Sequence, residues 1–204
     1  MNRKGKTFII SGPSGVGKST VLHALFEGRD DLYFSVSATT RAPREGERDG
    51  VDYHFMAPAD FEKAIASGEF FEYAKVHDRY YGTSKKAVYD AFNAGKDLIL
   101  IIDVQGAKTW RKIAASEKGL GEKIFFVFIA PASKEELKKR LLGRGTESDA
   151  EIERRLQTAV SEYAAADEFD FKIDSKTRDE DYSALKQIYL KAKSYIPTGT
   201  QASK

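Results

Sequence analysis

Gly12-Pro13-Ser14-Gly15-Val16-Gly17-Lys18-Ser19 follows an apolar run at Thr7–Ser11 and precedes a helical pattern at Lys18–Glu27. The pattern is G-x-x-x-x-G-K-S, which predicts a phosphate-binding loop when a strand precedes it and a helix follows it. Its glycines let backbone N–H groups turn toward an anion, and the helix adds the positive end of its dipole. The stretch therefore predicts a site for the phosphates of a nucleoside triphosphate.

Individual residues of this loop have distinct predicted roles. Lys18 reaches the β- and γ-phosphates, and the hydroxyl of Ser19 ligates Mg²⁺. A glycine-rich turn that has a lysine beside it by chance is the alternative, and the flanking strand and helix patterns disfavour it. The predicted triphosphate-binding residues are Gly12, Pro13, Ser14, Gly15, Val16, Gly17, Lys18, Ser19 and Thr20.

Composition narrows the class of protein. The 204 residues suffice for one domain with a small insertion, and 41% apolar with 31% charged residues is ordinary for a globular chain. A net charge of +2 is too small to indicate a nucleic-acid or membrane partner. The absence of cysteine fits a reducing compartment, so we expect a cytoplasmic protein. The basic N-terminus lacks the pattern of a signal peptide, and no apolar run is long enough to span a membrane.

Strand and helix patterns alternate along most of the chain. Apolar runs predict strands at Thr7–Ser11, Asp97–Asp103, Lys123–Ala130 and Phe169–Ile173. Helical periodicity predicts helices at Lys18–Glu27, Gln105–Ala115, Ser133–Leu142, Asp149–Asp167 and Arg178–Tyr195. Capping boxes at Ser133, Ser148 and Thr177 support three of the helix starts. The alternation predicts a three-layer α/β fold with a mostly parallel sheet and a ligand at the carboxyl ends of its strands.

One segment interrupts the alternation. Residues 35–93 hold short strand patterns (Val51–Met56, Phe70–Val76) and two short helical patterns (Pro58–Ser67, Ser84–Asn93). We therefore expect a small α+β insertion between the first and second core strands. Residues 1–34 and 94–204 would form the core, with a lid at about 143–150.

The insertion carries the residue types of a second anion site. Arg41 and Arg44 are followed by Tyr53 and later by Tyr80 and Tyr81. Guanidinium forks and phenolic hydroxyls together suit a phosphate monoester. Solvated surface charge and edge packing explain the same residues equally well in isolation, but a phosphate-binding loop in the same chain favours the anion site.

These motifs together resemble the guanylate kinase family from Thr7 to about Tyr189. The loop motif is shared by many nucleotide-binding families, whereas the motifs of the insertion are more selective. The resemblance rests on Ser11–Thr20, Ser37-x-Thr-Thr-Arg-x-Pro-Arg-x-Gly-Glu47, Gly50-x-Asp-Tyr-x-Phe55, Tyr80-Tyr-Gly82, Ile102-Asp-Val-Gln-Gly-Ala107 and Gly143-Arg-Gly-Thr-Glu147.

The resemblance implies that the core binds ATP with Mg²⁺ and the insertion binds GMP. It implies phosphate contacts from Arg41, Arg44, Tyr53 and Tyr81, and guanine contacts from Ser37, Glu72, Thr83 and Asp103. The chemistry of guanine independently favours Glu72, because N1–H and the 2-amino group lie side by side and one carboxylate accepts both hydrogen bonds. Adenine lacks this donor pair. The expected partners are small molecules, and monomer and homodimer both stay open.

The implied reaction is ATP + GMP giving ADP + GDP. The attacking phosphate oxygen is already ionised at neutral pH, so no general base is required. Catalysis then consists of alignment and of neutralising charge on the transferred group. The predicted catalytic residues are Lys18, Arg41, Arg140, Arg144 and Arg155, of which Arg144 belongs to a glycine-punctuated lid that excludes water.

Two positions depart from the family pattern, and rival functions stay open. Ile101 stands where the family often has an acid, and Asp174-Ser175-Lys176 replaces a common asparagine near the adenine pocket. The main alternative is a guanylate-kinase-like module that binds phosphopeptides without catalysis. A related kinase acting on a sugar phosphate or on another nucleoside monophosphate, and a regulatory ATPase without an acceptor, are further alternatives.

Overall fold

The computed structural model describes residues 5–76, 78–116, 124–143 and 149–194. Within these ranges the strands are β1 Thr7–Ser11, β2 Leu32–Phe34, β3 Ala38–Thr39, β4 His54–Phe55, β5 Phe70–Val76, β6 Arg79–Ser84, β7 Asp97–Ile101, β8 Ile124–Ala130 and β9 Phe171–Asp174. The helices are α1 Lys18–Phe26, α2 Pro58–Ala66, α3 Lys85–Asn93, α4 Val104–Ser116, α5 Lys134–Leu142, α6 Asp149–Ala164 and α7 Arg178–Ser194. A 3-10 turn, Ala166–Glu168, follows α6.

The main sheet has five strands in the order β2-β7-β1-β8-β9, and every neighbouring pair is parallel. The predicted α/β fold with a mostly parallel sheet is therefore confirmed. Because β1 lies at the centre between β7 and β8, the loops that follow β1 and β7 meet at one edge of the sheet. This edge is where ligands bind in open parallel sheets.

Helices cover both faces of the main sheet. Phe8 and Ile10 of β1 point to the face that α1 and α7 cover, whereas Ile9 points to the face that α3 and α4 cover. Coverage on both faces explains why the central strands are continuously apolar. Trp110 of α4 is fully buried on the face of the sheet to which Ile9 points.

A second sheet has four strands in the order β4-β3-β6-β5. β3 pairs with β4 in parallel and with β6 antiparallel, and β5 pairs antiparallel with β6. Phe61 of α2 stacks on Phe70 and Tyr80, with ring centroids 4.3 and 5.2 Å away, so α2 is fastened to this sheet. Val88 and Ala91 of α3 are instead buried against the main sheet.

The capping box predicted at Thr177 is confirmed with both of its hydrogen bonds, and at Ser133 the N-cap bond of the predicted box is observed. Ser133 Oγ accepts the N–H of Glu136 at 3.1 Å. At the start of α7, Thr177 Oγ1 accepts the N–H of Glu180 at 3.3 Å, and the Glu180 carboxylate accepts the N–H of Thr177 at 3.2 Å. The box predicted at Ser148 begins outside the described residues.

The structure differs from the predicted strands at several places. Strand β2 was not predicted, so the small sheet follows the second core strand in chain order and not the first. Strands β3 and β6 were not predicted either; β6 pairs with β5 along nearly its whole length. The strand expected at Val51–Met56 shortens to β4, because the N–H groups of Val51 and Asp52 bond back to the carbonyl of Arg48 in a turn. No helix among the described residues has the length and apolarity needed to span a membrane.

Candidate functional site

The loop between β1 and α1 has the backbone of an anion cradle. Gly12 has φ 142°, and a Cβ there would lie 2.2 Å from the carbonyl oxygen of Ile129, so only glycine fits beside β8. Gly17 caps α1 in the left-handed region with φ 109°. Gly17 has no side chain that could cap α1, so the first N–H groups of the helix stay available to an anion.

Lys18 folds back over this loop. Its Nζ donates to the carbonyl oxygens of Gly12 at 2.6 Å and Pro13 at 3.0 Å. Ser19 and Thr20 are exposed on the first turn of α1. The ammonium group and the hydroxyl of Ser19 therefore lie at the same end of the helix.

Two predicted arginines contact the loop from the α5–α6 pair. Arg155 Nη1 donates to Ser14 Oγ at 2.5 Å. Arg140 Nη1 donates to the carbonyl oxygen of Val16 at 2.7 Å, and its Nη2 donates to that of Lys176 at 3.0 Å. Arg155 lines the cavity described next, whereas Arg140 braces the loop from outside it. Arg144 lies outside the described residues.

A cavity of about 380 Å³ lies between the loop, the small sheet and α6. It brings together residues of the predicted triphosphate, monophosphate and catalytic sites, whereas the predicted Mg²⁺ ligand Ser19 does not line it. Its lining includes Gly12, Ser14, Lys18, Ser37, Arg41, Arg44, Tyr53, Glu72, Tyr81, Asp103, Arg155 and Glu162. Thr83, also predicted, is fully buried behind Glu72.

The two predicted arginines of the insertion share one carboxylate. Arg41 Nη2 bonds Glu47 Oε1 at 2.8 Å, and the backbone N–H of Arg44 donates to Glu47 Oε2 at 2.8 Å. The Arg41 guanidinium lies 5.3 Å from the centroid of the Tyr53 ring, whose edge meets the Tyr81 ring. Burial raises the pKa of Tyr53, so its phenol stays protonated and can donate a hydrogen bond.

Glu72 and Asp103 form the acidic end of the cavity. Glu72 is 5% exposed, and its Oε1 accepts the hydroxyl of Thr83 at 2.7 Å. Burial, opposed by the hydrogen bond from Thr83 and reinforced by the neighbouring Asp103, raises the pKa of Glu72 to about 7. Burial also raises the pKa of Asp103, whose Oδ1 accepts the N–H of Gly106 at 2.8 Å. The acidic end of the cavity therefore suits a part of a ligand that donates hydrogen bonds.

Three further charged residues, Glu162, Glu151 and Arg79, line the cavity and were not predicted from the sequence. Glu162 projects from α6, where burial raises its pKa and Lys18 opposes the rise. Arg79 begins β6 at the rim. For Glu162 the available signal was its helical spacing, one turn after Thr158 and two turns after Arg155, which also line the cavity.

A second cavity, of about 740 Å³, adjoins the first along the other side of the loop. Its lining combines Ser19 and Thr20 with apolar side chains of α1 and β2, among them Phe26 and Phe34. Ile101, which departs from the family pattern, lines both cavities. An aliphatic side chain cannot ligate Mg²⁺ through water, so a carboxylate contact at this position is absent from this chain.

The second departure, at 174–176, is a turn held by its own hydrogen bonds. Ser175 Oγ donates to Asp181 Oδ2 at 2.6 Å, and the N–H of Lys176 donates to Asp181 Oδ1 at 2.7 Å. Arg140 Nη1 reaches Ser175 Oγ at 3.1 Å. The turn is thus tied to the phosphate-binding loop through one guanidinium.

Comparisons with known proteins agree with this geometry. The family model described as guanylate kinase matches residues 4–192. A guanylate kinase of Campylobacter jejuni subsp. jejuni is 46% identical over 191 residues, which cover 93% of this chain and 89% of the relative. One from Clostridioides difficile is 44% identical over 84% of this chain and 80% of its own. The crystal structure of guanylate kinase from Anaplasma phagocytophilum superposes with a TM-score of 0.76 at 29% identity, covering 96% of this chain and 89% of that one.

Proposed function

The chain belongs to the guanylate kinase family, and from this we infer that it transfers the γ-phosphoryl group of ATP to GMP, giving ADP and GDP. One observation on this chain supports the inference. A single cavity joins the ammonium group of Lys18, the guanidinium groups of Arg41 and Arg44, and the carboxylates of Glu72 and Asp103. Phosphoryl transfer between two nucleotides needs such an arrangement, with cations between the nucleotides and base recognition at one end.

GMP occupies the end of the cavity that the small sheet forms. Its phosphate accepts hydrogen bonds from the charged and phenolic groups of Arg41, Arg44, Tyr53 and Tyr81, which cluster on that side. Its guanine lies among the polar groups at the acidic end, Ser37, Glu72, Thr83 and Asp103. We assign GMP binding to the insertion, residues 35–93. We assign ATP binding to the core, residues 1–34 and 94–204.

Glu72 selects guanine over adenine. Its Oε1 is engaged by Thr83, which orients the carboxylate, and both of its oxygens can still accept. Guanine presents N1–H and the 2-amino group to such a carboxylate. Adenine presents an acceptor at N1, so its binding would leave the buried Glu72 unsatisfied, which costs about 1–3 kcal/mol or more for a charged group.

ATP binds along the loop from Gly12 to Thr20, with its phosphates on the backbone N–H groups and on Lys18. Ser19 supports a site for Mg²⁺, since Mg²⁺ commonly uses one or two protein oxygens and completes its shell with phosphates and water. Bound Mg²⁺ supplies charge neutralisation at the phosphates. The exposed hydroxyl of Ser19 at the start of α1 fits that requirement.

The chain's own residues align the reactants and neutralise charge. Lys18 and Arg41 approach the transferred group from the two nucleotide sites, and Arg155 approaches it from α6, where it already reaches the loop at Ser14. Arg140 acts indirectly, by bracing the loop through Val16. The catalytic role of Arg144 and the lid at about 143–150 stay predictions, as do a cytoplasmic location and a monomeric or homodimeric state.

A catalytically inactive phosphopeptide-binding module would not need the ATP side of this cavity. The loop with Lys18 and Ser19 is complete, and Arg155 contacts it. These features support the enzyme over the interaction module.

Acceptor profiling tests the proposed function. With ATP and Mg²⁺, a coupled assay of ADP release across GMP, dGMP, AMP, CMP and UMP should show turnover with guanine nucleotides far above the others. Isothermal titration calorimetry should show binding of both ATP and GMP. Binding of ATP without turnover of any purine monophosphate would contradict the proposal.

A further inference from the structure

Gly106 lies in the first turn of α4, where the family resemblance assigns it no role. It is buried, and its φ is not positive, so the backbone there does not require glycine. Glycine inside a helix is also less favourable than alanine. The local structure therefore gives no reason for this residue.

The side chains around Gly106 do explain why a glycine is needed there. A Cβ at this position would lie 3.0 Å from Glu72 Oε2, 3.2 Å from Asp103 Oδ1 and 3.3 Å from Ile102 Cβ. Non-bonded heavy atoms prefer separations of about 3.5–4.0 Å. Both carboxylates of the acidic end thus touch the space that the missing side chain leaves open.

Glu72 has little freedom to yield to a methyl group. Its Oε1 is held by Thr83, so Oε2 is the oxygen on the Gly106 side. Strand β5 is itself fixed against α4, because Phe71 stacks on Trp110 with ring centroids 4.3 Å apart. A methyl group at position 106 would therefore turn the Glu72 carboxylate and would not shift the strand.

We propose that Gly106 is a positioning residue for base selection: the absence of a side chain lets Glu72 and Asp103 converge on one purine edge. The inference rests on the proposed function, since it concerns the same GMP site. Gly106 acts through Glu72 and does not itself touch the substrate.

The substitution Gly106→Ala tests this. We expect kcat/KM for GMP to fall by about tenfold to a hundredfold, chiefly because KM rises. Displacing a recognition group by up to about one ångström has an effect of this size. The kcat/KM for AMP and the KM for ATP should not change, so the ratio of kcat/KM for GMP to that for AMP should fall. The melting temperature should change little, because the better helix propensity of alanine offsets the close contacts of its methyl group.

Thr109→Ala is the matched control, since it adds alanine to the same helix three residues later. The Thr109 hydroxyl bonds only the carbonyl of Gln105 among the described residues, and Thr109 does not line the cavity. This variant should keep the wild-type ratio. A loss of the same size in Thr109→Ala would overturn the proposal.

A double-mutant cycle separates positioning from general damage to α4. In the Glu72→Ala background, Gly106→Ala should cause no further loss of GMP selectivity, because its target is gone. Additive losses, or an equal rise in the KM for ATP, would overturn the proposal. If the wild-type protein fails to phosphorylate GMP, the proposed function itself fails. Wild-type activity with an unchanged ratio in Gly106→Ala overturns the role of Gly106 alone.

Discussion

At the scale of single residues, Glu72 shows how burial prepares a carboxyl group for a specific ligand. The side chain is buried, so water stabilises its negative charge little. The hydrogen bond from Thr83 stabilises the ionised form, and the nearby Asp103 destabilises it. The raised pKa means that ionised Glu72 lowers the stability of the free protein, by an amount that grows as pH rises from about 4.5 to about 7. A ligand that donates two hydrogen bonds relieves this cost.

GMP affinity should therefore depend on pH. Guanine binds ionised Glu72, whose pKa in the free protein is about 7, so binding releases a proton below that pH. We expect GMP affinity to fall by up to about tenfold per pH unit between pH 6.5 and 5.5. Calorimetry in buffers of different ionisation enthalpy measures both the affinity and the protons released.

The phosphate of GMP also titrates in this range, because its second pKa is about 6. The variant Glu72→Gln keeps that titration and removes the carboxyl group. Its GMP affinity should be weaker and should depend less on pH than that of the wild type. Identical pH dependence in the two proteins would show that Glu72 does not control it.

At the scale of elements, α5 and α6 act as one support for the phosphate-binding loop. They bury Leu137, Leu141 and Leu156 against each other. Arg140 of α5 then links this pair to the loop at Val16 and to the turn before α7 at Lys176. The loop is thereby held by elements far from it in sequence.

Removing this link should weaken both stability and ATP binding. Arg140→Ala deletes charged donors to two carbonyl groups, so we expect a loss of about 1–3 kcal/mol in the free energy of unfolding. The KM for ATP should rise several-fold while the KM for GMP stays nearly constant, because Arg140 contacts the phosphate-binding loop and does not line the cavity proposed for GMP. Urea unfolding and steady-state kinetics measure the two effects.

Lys139→Ala serves as the control, because Lys139 is the exposed neighbour on the same helix. Its stability should change by less than about 0.5 kcal/mol. An Arg140→Ala variant with wild-type stability and an unchanged KM for ATP would refute the bracing role.

At the scale of the whole molecule, a polar cluster joins distant parts of the chain at the edge of the main sheet opposite the cavity. Tyr189 of α7 donates its hydroxyl to Asp97 Oδ2 at 2.6 Å, at the start of β7. Lys193 Nζ bonds Asp31 at 2.7 Å and Asp97 at 3.1 Å. Burial and the bond to Asp97 raise the pKa of Tyr189 to about 12, so the phenol stays a donor at neutral pH.

Tyr189→Phe should therefore destabilise the entire fold. It removes a buried hydroxyl bonded to charged groups, for which we expect a loss of about 1.5–3 kcal/mol in the free energy of unfolding. Tyr163→Phe provides the comparison, because the Tyr163 hydroxyl bonds Lys172 on an exposed surface. Chemical denaturation should show little change in that variant. Equal effects in the two variants would mean that the cluster does not hold α7.

Agreement between sequence and structure was best where one short segment carries its own signal. The loop from Gly12 to Ser19, the apolar strands β1 and β8 and the cap at Ser133 all formed as predicted. Prediction was poorest for β2, whose three residues show no period of their own. A strand of that length exists because β7 pairs with it, and this information lies elsewhere in the chain.

The sequence by itself determined the parallel α/β architecture, the phosphate-binding loop and the candidate recognition residues, because glycine spacing, apolar runs and motif residues act over short stretches. The three-dimensional packing was needed to see that Glu162 enters the cavity, that Arg140 braces the loop from outside it, and that both Glu72 and Asp103 border the space left by the missing side chain of Gly106. These relations join elements distant in the chain. The order of strands in the sheet and the packing of helices create them, and no local pattern encodes a distance of that kind.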